Sequence, residues 1–104
     1  MSDEPLYEKL ISENEAKGFR VMLVVNEFRD KEYLHLRKYF LSFDEGYVPS
    51  KEGISVELTI SNSYAILEGM IELCSKLEGQ DALRDRLDRM LNEPKDNEVP
   101  ELSE

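Results

Sequence analysis

The sequence predicts an α+β domain: a four-stranded antiparallel sheet, a helix packed on one of its faces, and a further short helix at each end of the chain. Three observations carry this. Residues 19–60 hold runs of β-branched and apolar residues that alternate with polar ones at period two. After residue 60 the apolar residues switch to a helical period. Strands precede helices along the chain, which is the order of an antiparallel meander covered on one side by helix. The 104 residues are enough for one domain with a modest core.

Each element has its own local reason. In residues 5–16, Leu6, Leu10 and Ile11 fall at helical spacing and Gly18 closes the segment, which predicts a short amphipathic helix. Phe19 to Phe28 is rich in valine and other strand formers. Arg29-Asp30 or Asp30-Lys31 turns the chain into a second strand, Lys31 to Leu41. Leu34, Leu36 and Phe40 lie on one face of that strand, and Lys31, Tyr33, His35, Arg37 and Tyr39 on the other. Ser42 to Gly46 is a turn, with Gly46 free to take positive φ. Tyr47-Val48 forms a short strand that Pro49 ends or confines to an edge. Ile54 to Ile60 alternates strictly, with Ile54, Val56, Leu58 and Ile60 on one side. Ser61 or Ser63 caps a helix whose stripe is Ile66, Leu67, Met70, Leu73, Cys74 and Leu77, and Gly79 stops it. A second helix runs from Asp81 to Leu91. The chain thus divides into an acidic extension at 1–17, a central domain at 18–78, an added helix at 79–91 and a disordered acidic tail at 92–104.

Charge excludes some functions and leaves others open. The net charge of -10 disfavours a protein that coats polyanions with its whole surface. The charge is unevenly spread, however. Residues 1–17 hold two basic against five acidic side chains, residues 18–60 six against seven, and residues 61–104 five against eleven. A basic surface can therefore form locally in the middle segment. One cysteine, Cys74, cannot make an internal disulfide, and one cysteine with one histidine cannot make a structural zinc site of the usual kind. No membrane span, signal peptide, phosphate loop or nucleophile elbow is present. We therefore expect an intracellular, non-enzymatic protein without metal or cofactor. His35, Cys74, Ser61, Ser63 and the turn carboxylates Glu27, Glu32, Asp44 and Glu45 read as surface, core, capping and solvated residues respectively.

One sheet face has no covering element within this order. It carries cationic and aromatic groups in alternation, Tyr33 among them. Such a surface suits unpaired nucleic acid, because rings stack on bases at about 1–3 kcal/mol each while Lys and Arg contact phosphates. The same alternation is also ordinary for a solvated antiparallel sheet.

The stretch from Phe28 to Ser55 narrows the choice. Phe28-Arg29-Asp30-Lys31, the aliphatic alternation after it, and Arg37-Lys38-Tyr39-Phe40 resemble the central hairpin of the transcriptional coactivator family known as positive cofactor four. There the hairpin reads basic-acidic-Phe-Lys-Gly-Lys, then aliphatics, then Arg-Glu-Tyr and an aromatic. Gly46 to Pro49 and Lys51-Glu52-Gly53-Ile54-Ser55 resemble that family's Pro-Gly-basic-basic-Gly-Ile-Ser, without a gap between the two matches. With flanking elements the likeness covers residues 19–75, and the plant Whirly proteins are similar in architecture at a greater distance. The resemblance implies a curved sheet, a homodimer, and binding of single-stranded or melted DNA in a role in transcription. It places stacking aromatics at Phe28 and Phe40 and phosphate-binding cations at Lys31 and Arg37, with Arg29 and Lys51 as weaker matches. Asn26, Val48 and Glu52 stand where many members are basic, and Phe40 stands where many have Trp. Each missing phosphate contact lowers affinity and flattens the salt dependence.

Three functions are expected from these readings. The first is a dimeric single-stranded-DNA-binding transcriptional regulator, with Leu67, Met70, Ile71 and Cys74 at the dimer interface and the transcription machinery as a further partner. The second is a protein-interaction module on the same fold. The third is single-stranded RNA binding, which stacking and phosphate contacts serve equally well. The expected location is the cytoplasm in a bacterium or the nucleus in a eukaryote.

Overall fold

The computed structural model describes residues 4–93. They form two units, one ending at Leu58 and one starting at Thr59. The first is a four-stranded antiparallel sheet with the order β1-β2-β3-β4. Its strands are β1 (Tyr7–Asn14), β2 (Phe19–Phe28), β3 (Lys31–Leu41) and β4 (Tyr47–Glu57). The second is a pair of helices, α1 (Ile60–Glu78) and α2 (Gln80–Asn92). The α+β class and the count of four strands are as expected, and so is the added C-terminal helix.

Two assignments need correction. The expected N-terminal helix is strand β1. It pairs with β2 from Tyr7↔Val25 to Asn14↔Phe19, and the register shifts between Leu10 and Ser12. A bulge at Ile11 breaks the alternation, so Leu6, Leu10 and Ile11 mimic helical spacing. The pairing is long-range, and it overrides the local pattern. Tyr47-Val48 and Ile54 to Ile60 are likewise not separate strands. Tyr47-Val48 and Ile54 to Glu57 belong to the two arms of β4, which is interrupted opposite Lys38, where the pairing jumps from Arg37↔Gly53 to Tyr39↔Pro49. The expected strand stops three residues early, because Thr59 caps α1 and Ile60 is its first residue. The Ser50 hydroxyl fixes this bulge: it donates to the Lys38 carbonyl at 2.7 Å and accepts from the Glu52 amide at 3.0 Å. Pro49 is tolerated because it lies beside a bulge on an outer strand. The acidic tail read at 92–104 lies, beyond Glu93, outside the described residues.

β2 and β3 pair without interruption from Phe19↔Phe40 to Phe28↔Lys31. Val24 and Val25 are the buried apolar residues among those described, and as neighbours in β2 they point to opposite faces. The β2–β3 loop is two residues long, and Arg29 (φ 53) and Asp30 (φ 67) are both left-handed. Two-residue hairpins need this conformation, and glycine adopts it without strain. Asp30→Gly should therefore raise stability by about 0.5–1 kcal/mol. Urea denaturation checks this, and an unchanged or lower midpoint would contradict it.

α1 begins one or more residues before the expected caps. Thr59 is its N-cap, and its hydroxyl accepts from the Asn62 amide at 3.0 Å. Gly79, at φ 98, separates α1 from α2. A groove between the two helices is lined by Ile71, Ser75, Leu83 and Leu87 among others. No residue of either helix is buried, and Leu67, Met70 and Leu73 are about half exposed. No described helix is long and apolar enough to cross a membrane.

Candidate nucleic-acid interface

Residues paired across strands share a face, so the register sorts the sheet. One face holds Phe19, Leu23, Val25, Leu34, Leu36, Phe40, Ile54 and Val56. The other holds Glu8, Asn26, Phe28, Lys31, Tyr33, His35, Arg37, Tyr39, Ser55 and Glu57. The polar-aromatic alternation of β3 thus becomes a continuous surface across four strands. A groove of about 900 Å³ runs along it. Its lining includes Glu8, Asn26, His35, Arg37, Tyr39 and Lys51.

Arg37 is held at the groove wall by β4. Its Nη1 donates to the Ser50 carbonyl at 3.0 Å and its Nη2 to the Ser55 hydroxyl at 3.4 Å. A guanidinium has five N–H donors, so these bonds orient the group without exhausting it. His35 Nδ1 shares a short hydrogen bond with Ser55 Oγ. Burial, and then the nearby Arg37 charge, pushes the His35 pKa below its ordinary 6.5. Without a bound anion His35 is therefore mostly neutral at pH 7, and Arg37 and Lys51 supply the fixed positive charge of the groove. Tyr39 is pushed the other way, above 10.0, by burial and then by the Glu8 carboxylate, with Arg37 opposing.

Of the sequence-derived candidates, Arg37, Lys51 and Phe40 border this groove. Phe28, Arg29 and Lys31 sit at the β2–β3 hairpin, six residues of β3 away from Arg37, or roughly 20 Å. Tyr33 lies between them on the same face, opposite Asn26 and Glu57. Phe28 and Phe40 do not form one stacking pair on one face: the uninterrupted register puts Phe28 with Lys31 and Phe40 with Phe19 and Val48. Phe40 reaches the groove only at its border. Arg29 lies over the Phe28 ring, 5.0 Å from its centre, and Lys31 pairs with Glu57 at 3.9 Å. On the opposite face Glu52, one of the departures from the family pattern, pairs with Lys38 at 3.7 Å.

Sequence reasoning missed Glu8, Ser50 and Pro5. Pro5 and Glu8 enter the groove only because residues 7–14 pair as a strand, and Ser50 acts through a bulge with no local signature. Tyr39 was visible in the alternation of β3 but not singled out.

The row Glu8, Val24, His35, Ser55 places an acid, a histidine and a serine on one line across the sheet. It is not a catalytic triad. Val24 separates Glu8 from His35 by two strand spacings, roughly 10 Å, and a triad requires hydrogen-bonded contact. Among the described residues no group of three or more His, Cys, Asp or Glu could hold a metal ion.

A four-stranded antiparallel sheet followed by a helix is the architecture of a class of transcriptional coactivators. The family model described as Transcriptional Coactivator p15 (PC4) matches residues 17–62, which spans β2, β3, β4 and the start of α1. The expected resemblance to that family is thereby established. Two solved structures have the same fold. One is a bacteriophage T5 homologue of the eukaryotic coactivator PC4 implicated in recombination-dependent DNA replication. It is 23% identical with a TM-score of 0.67, over 84% of this chain and 97% of that one. The other is a PC4 homologue from Burkholderia pseudomallei, 21% identical with a TM-score of 0.51, over 76% of this chain and 99% of that one. No curated protein matches the chain.

Proposed function

We propose that the protein is a single-stranded-DNA-binding regulator of the coactivator type, and that the groove across β1 to β4 is its working surface. The observation that carries this is the joint placement of Arg37, His35, Tyr39 and Lys51 along one groove, within the stretch that the family model matches. Arg37 and Lys51 bind phosphate, and Tyr39 offers a ring to an unpaired base. Tyr33 and Phe28 extend the track toward the hairpin. Duplex DNA hides its base faces, so the surface selects open strands. Affinity is modest, because Glu57 sits beside Lys31 on the groove face.

Fluorescence anisotropy with a labelled strand of about 20 nucleotides, its duplex and its RNA counterpart tests this at two salt concentrations. The expected result is a preference for the single DNA strand that weakens as salt rises, with a log–log slope of about −0.7 per phosphate contacted. Equal affinity for the RNA strand would mean that the polymer is not distinguished. No binding at low salt would overturn the proposal and favour the protein-interaction module.

The protein acts as a homodimer in this proposal. Leu67 and Met70 of α1 are about half exposed, Ile71 borders the α1–α2 groove, and Cys74 is partly covered. A stripe this apolar on a helix with no buried residue is suited to a symmetric partner. Sedimentation equilibrium should give twice the 12.1 kDa chain mass, and a monomer at all concentrations would exclude the dimer.

A further inference from the structure

The groove is electrically two-sided, and phosphate binding alone does not explain why. Its β4 side carries Lys51 and the Arg37 guanidinium that β4 holds in place. Its β1 side carries Glu8, with Asn26 beside it on β2. A carboxylate in a phosphate-binding groove opposes binding if it meets only backbone. Glu8 makes no ion pair among the described residues, so its charge is not neutralised by a neighbour. It also comes from outside residues 17–62, so the family match does not account for it.

Tyr39 follows Arg37 on β3, one same-face position further from the row of Glu8, and it lines the same groove as both. Glu8 raises the pKa of its hydroxyl and Arg37 opposes that. Glu8 and Arg37 stand two strands apart and one same-face row apart along the sheet, roughly 12 Å. Glu8 lines the same groove as Tyr39 and Arg37, so a base held there with its phosphate on Arg37 has room to turn its edge toward β1.

Granted the nucleic-acid function of this groove, on which the assignment rests, we propose that Glu8 is a base-reading residue that makes the groove prefer guanine and reject thymine. The chemistry lies in the donors at the base edge. Guanine presents N1–H and an amino N–H side by side, which the two oxygens of a carboxylate accept together. Cytosine and adenine offer one amino group each, so they rank between. Thymine offers a single N3–H flanked by two carbonyl oxygens, which a carboxylate repels. Carboxylates read amino donors on bases in other settings for the same reason. The charge that weakens binding in general thus becomes a source of discrimination, because an unmatched base leaves it unpaired at the β1 side of the groove.

The test compares the full chain with its Glu8→Gln variant on three labelled strands of about 20 nucleotides: all thymine, alternating guanine and thymine, and alternating cytosine and thymine. Glu8 is exposed on an outer strand, and glutamine matches it in size, so the fold is retained and circular dichroism confirms it. The expected result is that the natural chain binds the guanine-containing strand about tenfold more tightly than the thymine strand. In the variant that ratio collapses, and the thymine strand binds more tightly than it does to the natural chain. An equal gain on all three strands would show a merely repulsive charge and overturn the proposal. Absence of base preference in the natural chain would overturn it too. If the natural chain bound none of the three strands, the nucleic-acid function itself would fail and take this proposal with it.

Discussion

Arg37→Ala should weaken single-strand binding by about ten- to a hundredfold, the scale of a lost charge-assisted contact. The salt slope should shrink by about 0.7, the value for one phosphate on a single strand. Arg37 is singled out because it is the candidate cation that the protein itself positions. Its two bonds to Ser50 and Ser55 aim the guanidinium before any ligand arrives, and an oriented donor loses little freedom on binding. Lys31, by contrast, shares an exposed ion pair with Glu57, and such pairs contribute little. Arg37→Lys should keep the salt slope but lose part of the affinity, because an ammonium cannot make the same forked contacts. Titrations at several salt concentrations check both variants. Unchanged affinity in Arg37→Ala would remove the groove from the mechanism.

Gly53→Ala should be the most damaging small substitution in the sheet. Gly53 pairs with Arg37 just before the β4 bulge. A Cβ there would stand 2.7 Å from the Leu36 carbonyl oxygen and 2.9 Å from the Arg37 Cα. Both neighbours are backbone, so relief requires β3 and β4 to separate. Overpacking of this kind costs about 1–3 kcal/mol, set against a total stability of about 5–15 kcal/mol. A domain this size loses about 4–8 °C of melting temperature per kcal/mol, so the drop should reach about 10 °C. A melt within about 2 °C of the natural chain would refute the argument. The substitution also displaces Arg37, so binding should fall together with stability. That link distinguishes it from Asp30→Gly at the far hairpin.

Much of the fold was legible because its signals are local. β3 declares itself through strict alternation from Lys31 to Leu41, and the α1 stop is set by Gly79. β1 was not legible: with Ile11 bulged, its apolar residues imitate a helix, and only pairing with β2 identifies it. The same reason hid part of the groove. His35, Arg37 and Tyr39 share a strand, so their common face follows from parity. Glu8 and Ser50 reach that face through a neighbouring strand and a bulge, which no window of sequence reveals. Phe28 and Phe40 are named from the resemblance, position by position, and not from a shared face. Each matches a family position, yet twelve residues apart across a two-residue turn they fall on opposite faces.

The irregularities of the outer strands have a further consequence for solubility. β1 and β4 bound the sheet, and each has a broken ladder, at Ile11 in one and from Ser50 to Glu52 in the other. A strand from a second chain could extend the sheet in register for only a few residues before meeting a bulge, and on β4 it would also meet Pro49, which has no N–H to offer. Runaway edge-to-edge growth toward fibrils is thereby blocked at both margins.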